Sequence, residues 1–270
     1  MSNDKQKLLF YTDTHMDRVM LWSLLNFFRH VRKENPHGIF LTGDISNGKM
    51  LCYHLKLMAQ YIKCPIYFIL GNHDIHRTSF STQYENIIKL CEEFPNLIWI
   101  SNIDHIKLNE EVYIIGDDGW YDAKLGDPKW LKFTTDWLLI EEFRKMSSME
   151  ERIEAFRERA AKSCKIIAKK LEKVLKNTDA KTIYILTHCP PWKEATRDEG
   201  TILEKFYLPY NINLGLGKVI EKIMEDHKKR NVIVCCGHTH TPEFIRVARN
   251  ISCQVGAAGI KTINSQKIYV

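Results

Sequence analysis

An α/β fold built on parallel strands is predicted by three features of this 270-residue sequence. Strand-like and helix-like segments alternate from the start, the strand segments are short apolar runs, and each run ends in a polar cluster. Lys7 to Thr12 reads as the first strand and ends at Asp13-Thr14-His15. From about Val19 to Arg32, Leu21, Leu24, Leu25 and Phe28 recur at helical spacing, and Asn35-Pro36-His37-Gly38 breaks the pattern. Ile39 to Thr42 forms a second strand ending at Gly43-Asp44, and Leu51, Leu55, Met58, Ala59 and Ile62 mark the next helix. Ile66 to Leu70 follows as a buried strand, after which Gly71 permits a sharp turn into Asn72-His73-Asp74. Right-handed crossovers bring such strand ends to one edge of one sheet, where α/β proteins bind ligands.

A helix is expected from Thr82 to Glu93, then short strands at Leu97–Ile100, His105–Leu108 and Val112–Ile115, closed by Gly116-Asp117-Asp118-Gly119. An aromatic stretch with Trp120, Tyr121, Trp130, Phe133 and Trp137 reads as core or as a substrate wall. The amphipathic segment from Met149 to Lys176 reads as a surface helix packed on the sheet. Lys181 to Thr187 returns to strand and ends at His188. A helix from Leu216 to Lys229, with the basic run His227 to Arg230 at its C-terminus, precedes the strand Val232 to Cys236, which delivers Gly237-His238-Thr239-His240. Phe244–Val247 and Lys267–Val270 alternate and are expected as antiparallel strands finishing a second sheet. One domain over 1–270 is expected, with an aromatic and helical insertion around 117–177.

Composition is ordinary for a globular protein, with 44% hydrophobic and 27% charged residues. A net charge of +6 does not by itself argue for nucleic acid, because much of it lies in helical runs. No apolar stretch reaches the roughly 20 residues that span a bilayer. The N-terminus lacks a signal-peptide core, so a cytoplasmic location and no membrane partner are expected. The eight cysteines contain no C-x-x-C pair and read as small buried hydrophobes.

The polar clusters carry Asp13 and His15, Asp44, Asn72 and His73, His188, and His238 and His240. Singly, Asp13 or Asp44 could cap a helix, His188 could sit in a turn, and Gly71 to Asp74 could be a polar turn. Together, carboxylate, imidazole and amide oxygen without thiolate suit a divalent transition metal such as manganese, iron or zinc. These eight side chains exceed one tetrahedral site and are about right for two ions sharing a carboxylate.

The ordered set Asp13-Thr14-His15, Gly43-Asp44, Gly71-Asn72-His73-Asp74, Thr187-His188 and Gly237-His238-Thr239-His240 resembles the calcineurin-like metallophosphoesterase superfamily. That resemblance implies a four-layer α/β/β/α sandwich with two mixed sheets and the metal site at the C-terminal ends of the strands. It implies that Asp13, His15 and His240 hold one metal, that Asn72, His188 and His238 hold a second, and that Asp44 bridges them. Two divalent ions, manganese foremost, would supply a bridging hydroxide for in-line attack on phosphorus. His73 would act on the substrate as a catalytic residue, and Asp74 would hold its imidazole.

The segment after Asp44 lacks the Asp-Arg-Gly continuation of the superfamily's protein phosphatases, and His73 is followed by Asp rather than Glu. Both departures lean towards a phosphodiester over a monoester, with a small molecule or nucleotide as substrate. A DNA or RNA nuclease is the alternative and requires a basic groove; a non-catalytic scaffold is a third reading. Gly116–Lys145 and Lys193–Asn213 are the expected specificity loops, and His76 and Arg77 are candidate phosphate contacts.

Overall fold

The structure, a computed structural model, describes residues 6–196, 208–260 and 266–270. Two sheets stack face to face. The first runs β11-β1-β2-β3-β4, with β1 at Lys7–Tyr11, β2 at Gly38–Thr42, β3 at Ile66–Ile69, β4 at Leu97–Trp99 and β11 at Gln266–Tyr269. The second runs β5-β6-β7-β8-β10-β9, from β5 (Ile106–Lys107) and β6 (Val112–Gly116) through β7 (Thr182–Leu186) and β8 (Asn231–Cys236) to β10 (Ile251–Val255) and β9 (Glu243–Ala248).

The inner strands β1, β2, β3, β6 and β7 read as continuous apolar runs because both of their faces are covered, whereas β9, β10 and β11 alternate. In β1, Leu8 and Phe10 point between the sheets, where they join Phe40, Ile69, Ile114, Tyr184 and Leu186. Leu9 and Tyr11 face outward into a core shared with α1 (Leu21–Glu34), α2 (Gly48–Tyr61) and α3 (Phe80–Glu93) through Phe27, Leu55, Met58 and Ile87. On the second sheet, Ile183, Ile185 and Val234 pack against Ile167 and Leu171 of α6 (Met149–Asn177) and Ile220 of α7 (Leu214–Met224). The layers are therefore α/β/β/α, as the resemblance implies. Between β6 and α6 the chain carries two single-turn helices, α4 (Asp136–Leu139) and α5 (Glu141–Arg144).

Two expectations need correction. The segment Lys267–Val270 does not finish the second sheet: β11 lies antiparallel on β1, Lys7 opposite Tyr269, and buries Ile268 between the sheets. The helix expected to Lys229 stops at Met224, so the basic run lies beyond it. Arg230 instead donates to the carbonyls of Leu175 and Thr178, at the C-terminus of α6. The short strand Ile251–Val255 was not anticipated; it pairs parallel to β8, Cys253 opposite Val234.

A buried ammonium ties the layers together. Lys170 of α6 donates to the carbonyls of Ile100 and Ser101, just past β4, and of Gly116, the last residue of β6, at 2.9, 3.0 and 2.7 Å. Replacing Lys170 with Met keeps the apolar stem but leaves these carbonyls unpaired, and should cost about 2–4 kcal/mol in urea unfolding. Unchanged stability would show that water reaches them. At the opposite edge, Glu34 accepts from Lys7 and Lys267 at 3.2 and 2.8 Å, linking α1, β1 and β11. The hydrogen bond from Lys267, then that from Lys7, lowers its pKa from 4.5 to about 2. A carboxylate depressed by folding stabilises above its unfolded pKa and stops doing so as pH falls through the folded one. The melting temperature of Glu34→Gln should therefore lie below wild type at pH 7 and converge with it as pH approaches 2; a gap independent of pH would contradict this.

Candidate metal centre

All the predicted donors project from loops at the C-terminal edges of both sheets. Asp13 and His15 follow β1, Asp44 follows β2, Asn72 follows β3, His188 follows β7, and His238 and His240 follow β8. These loops turn tightly: Asp13, His15, Asp44, His238 and His240 have φ of 47, 39, 49, 70 and 59°, the left-handed region that non-glycine residues rarely occupy. Such strain persists only where surrounding bonds fix it. Here the amide of Asp13 donates to the carbonyl of Gly43 and that of His15 to the carbonyl of Asp44, so the first two loops lock together. The amide of His238 donates to both carboxylate oxygens of Asp13, which joins a loop of the second sheet to one of the first.

Two donor clusters result, sharing Asp44. In one, His15 Nε2 lies 3.2 Å from His240 Nε2 and 3.9 Å from Asp44 Oδ2, and His240 Nε2 lies 3.3 Å from Asp13 Oδ1. In the other, His188 Nε2 lies 3.4 Å from Asp44 Oδ1, 3.1 Å from His238 Nδ1 and 3.2 Å from Asn72 Oδ1.

Hydrogen-bond logic shows that these atoms fit a cation. His188 Nδ1 sits 2.8 Å from the carbonyl of Thr42, and His238 Nε2 sits 2.6 Å from that of Tyr210. A carbonyl only accepts, so each of these nitrogens carries a hydrogen, and in the neutral ring the other nitrogen presents a lone pair. Asn72 donates its amide to Asp136, which leaves its oxygen facing His188. Carboxylate, amide oxygen and two imidazole lone pairs thus face one another, an arrangement that a divalent cation satisfies. Burial opposes ionisation of Asp44, yet His73 and His188 hold its carboxyl well below the usual range. Burial opposes it at Asp13 too, where His240 wins. Burial pushes His15 and His238 down to about 4, keeping their lone pairs free. Despite burial, Asp44 draws His188 up to about 10, a measure of how strongly this point attracts positive charge.

His73 stands over the shared carboxylate, Nε2 3.8 Å from Asp44 Oδ2, and its ring meets that of His15 edge-on at 4.9 Å. Asp74 does not hold it, contrary to expectation. Both Asp74 oxygens take backbone amides, Gly71 at 2.8 Å and Ser46 at 2.9 Å, because the turn after His73 points the carboxylate back beneath the loops. His73 Nδ1 instead meets Arg18 Nη2 at 3.0 Å. His76 is not a phosphate contact either: it is buried, with Nε2 2.6 Å from Asp136. Arg77 lines a separate cleft with Lys49 and Arg144.

A cavity of about 670 Å³ opens over the centre. Its walls include Phe133, Thr134, Thr135, Thr196, Tyr210 and Asn211, from both expected specificity stretches; within Lys193–Asn213, residues 197–207 lie outside the described residues. Most of the aromatic stretch is core instead, with Trp120, Tyr121 and Trp137 buried. Sequence reading missed Arg18, Asp136 and Asp118. Asp118 Oδ1 takes the amide of Leu70 at 2.8 Å and the indole of Trp99 at 3.0 Å, while its carbonyl takes the amide of His188. An acidic residue directly after a strand, in Gly116-Asp117-Asp118-Gly119, was the available signal.

Gly71 meets a different demand from the turn expected of it. A Cβ there would strike Asp44 and come within 2.8 Å of His188 Cε1. Gly71→Ala should push Asp44 off the centre and lower the divalent metal retained, measured by plasma mass spectrometry, to less than half of wild type with unchanged circular dichroism. Wild-type metal content in Gly71→Ala would refute the packing argument.

Among solved structures, the chain is similar to a phosphopantetheinyl hydrolase from Mycobacterium tuberculosis, with a TM-score of 0.68 and 12% identity over 98% of this chain and 96% of that one. It is also similar to a dimetal phosphatase from Danio rerio, with a TM-score of 0.57 and 11% identity over 94% and 88%. At such identities the likeness concerns the fold alone. No curated protein sequence matches. No helix among the described residues is long and apolar enough to cross a membrane. The family model described as calcineurin-like phosphoesterase matches residues 6–242, so the chain belongs to that family.

Proposed function

We propose that the protein is a two-metal phosphodiesterase, with manganese the foremost candidate for both ions. The observation that carries this reading is that Asp44 belongs to both donor clusters. Asp13, His15 and His240 would hold one ion, Asn72, His188 and His238 the other, and Asp44 both. Such a pair, when bound, makes a hydroxide available near neutral pH and neutralises charge on the phosphoryl group.

The chain's own groups supply the rest. A guanidinium only donates, so the contact with Arg18 makes His73 Nδ1 the acceptor and leaves the hydrogen of the neutral ring on Nε2. Burial lowers the pKa of His73, which favours the neutral ring. Its Nε2–H would then donate a hydrogen bond to a phosphoryl oxygen or to the departing oxygen, stabilising the charge that develops there without giving up the proton. The cavity lining supports a diester: among the described residues it contains no Lys or Arg. A monoester dianion calls for charge-assisted pairing of the kind Arg provides, whereas a diester carries one charge. A small hydroxylated substrate suits the threonine-rich wall, and a cavity whose described lining carries no Lys or Arg disfavours a nuclease. The eight free cysteines accord with a reducing, cytoplasmic compartment.

Purified protein with added Mn²⁺ should hydrolyse bis-p-nitrophenyl phosphate in preference to p-nitrophenyl phosphate, and a chelator should abolish the activity. His73→Ala should lower kcat by about 10²–10⁴-fold while both ions remain bound. A monoester preference would sink the diester reading, and turnover that survives chelation would sink the metal reading.

A further inference from the structure

Beside the donors lies a buried polar cluster that no motif accounts for. Asp136, at the start of α4, uses both carboxylate oxygens: Oδ1 accepts from Asn72 Nδ2 at 3.0 Å and His76 Nε2 at 2.6 Å, and Oδ2 accepts from Tyr121 OH at 2.7 Å. All four residues are buried. The cluster reaches two further site residues, since the ring of Tyr121 stacks on His238 at 6.0 Å and that of His76 lies 4.3 Å from His73. Asp136 also closes the segment Phe133 to Thr135 that walls the cavity.

The amide of Asn72 explains what such a partner does. Its two ends are similar in size, but one accepts and the other donates, and only orientation decides which faces His188 and His238. Turned over, it would present hydrogens where the other donors present lone pairs. A carboxylate cannot donate, so Asp136 tolerates only the amino end of Asn72 and aims the oxygen at the site. We propose that Asp136 is a positioning residue for the Asn72–His188–His238 cation site, fixing the amide of Asn72 and joining the cavity wall to the metal loop. This rests on the reading above that these donors hold a cation.

The test is calorimetric titration of Mn²⁺ into metal-stripped full-length protein. Wild type should take up two ions. Asp136→Leu, which removes every acceptor at similar volume, should weaken one of the two sites by about 10–100-fold, the usual effect of losing a ligand's outer partner, and leave the other unchanged. Adding Asn72→Asp should restore the weakened site, because a carboxylate has two equivalent oxygens and needs no partner to orient it. A general packing role would not produce that rescue. If Asp136→Leu does not fold, Asp136→Ala, which admits water to Tyr121 and His76, carries the same comparison. Two wild-type affinities in the variant, equal weakening of both sites, or no rescue would overturn the proposal. A wild-type protein that binds no Mn²⁺ would instead overturn the metal reading beneath it.

Discussion

The approach of His188 Nε2 to Asp44 Oδ1, 3.4 Å apart, brings a loop of one sheet against a loop of the other. Around it, Asn72 and His238 turn further acceptor atoms to the same point. In a buried, low-dielectric setting such acceptors repel unless positive charge lies among them. The fold holds them there by fixing their far ends. Thr42 and Tyr210 offer carbonyls to the outer nitrogens of the two histidines, and Asp136 takes the amino end of Asn72. Each clamp leaves its side chain a single chemical face to turn inward. Beneath them Asp74 fastens the Asn72 loop to the Asp44 loop through two backbone amides. Burial and the neighbouring Asp44 push the pKa of Asp74 upward, a sign of how crowded with carboxylates this point is.

The loops themselves are strained. Positive φ at Asp13, His15, Asp44, His238 and His240 costs on the order of 1–3 kcal/mol each. Strand register and the inter-loop amide bonds keep these residues from relaxing, and the two-sheet core offsets the cost. The same tight turns remove space for side chains. At Gly237 a Cβ would collide with Thr12 and Asp13, and at Gly43, itself at φ 86°, it would meet Gly71 and His188 at 2.6 Å. The glycines that precede the donors are therefore part of the centre's geometry.

Much of this was legible in the sequence, for a physical reason. Runs such as Ile66 to Leu70 are apolar throughout because both faces of the strand are covered, and a polar residue directly after such a run has only the sheet's edge to occupy. Asp13, Asp44, Asn72, His188, His238 and His240 are therefore legible as residues just past strand C-termini, whereas their origin in two stacked sheets rather than one is set by tertiary packing. What the residues bond to was not legible. Asp74 adjoins His73 in sequence, but the turn directs it to Gly71 and Ser46, while Arg18, from the first loop, reaches His73 across space. Asp136 is invisible because its partners lie 15 to 64 positions away and no local pattern marks it. Likewise β11 carries an alternating pattern that any sheet edge accepts, and only the packing of Ile268 between the sheets selects β1.

The placement of β11 bears on how the centre comes into being. The strand that launches Asp13 and His15 lies between β2 and β11, with Lys7 opposite Tyr269. One of its two edges is thus filled by a segment made long after it. Pairings so distant in sequence close slowly, because a long loop must be ordered before any contact repays it. Until that closure, β1 presents open backbone groups beside apolar side chains, the condition in which strands join the wrong partner. His238 and His240 lie almost as far along the sequence, so both the sheet that carries Asp13 and His15 and the histidines that meet them there draw on segments distant from β1. Assembly of the site therefore depends on pairing between segments far apart in the sequence.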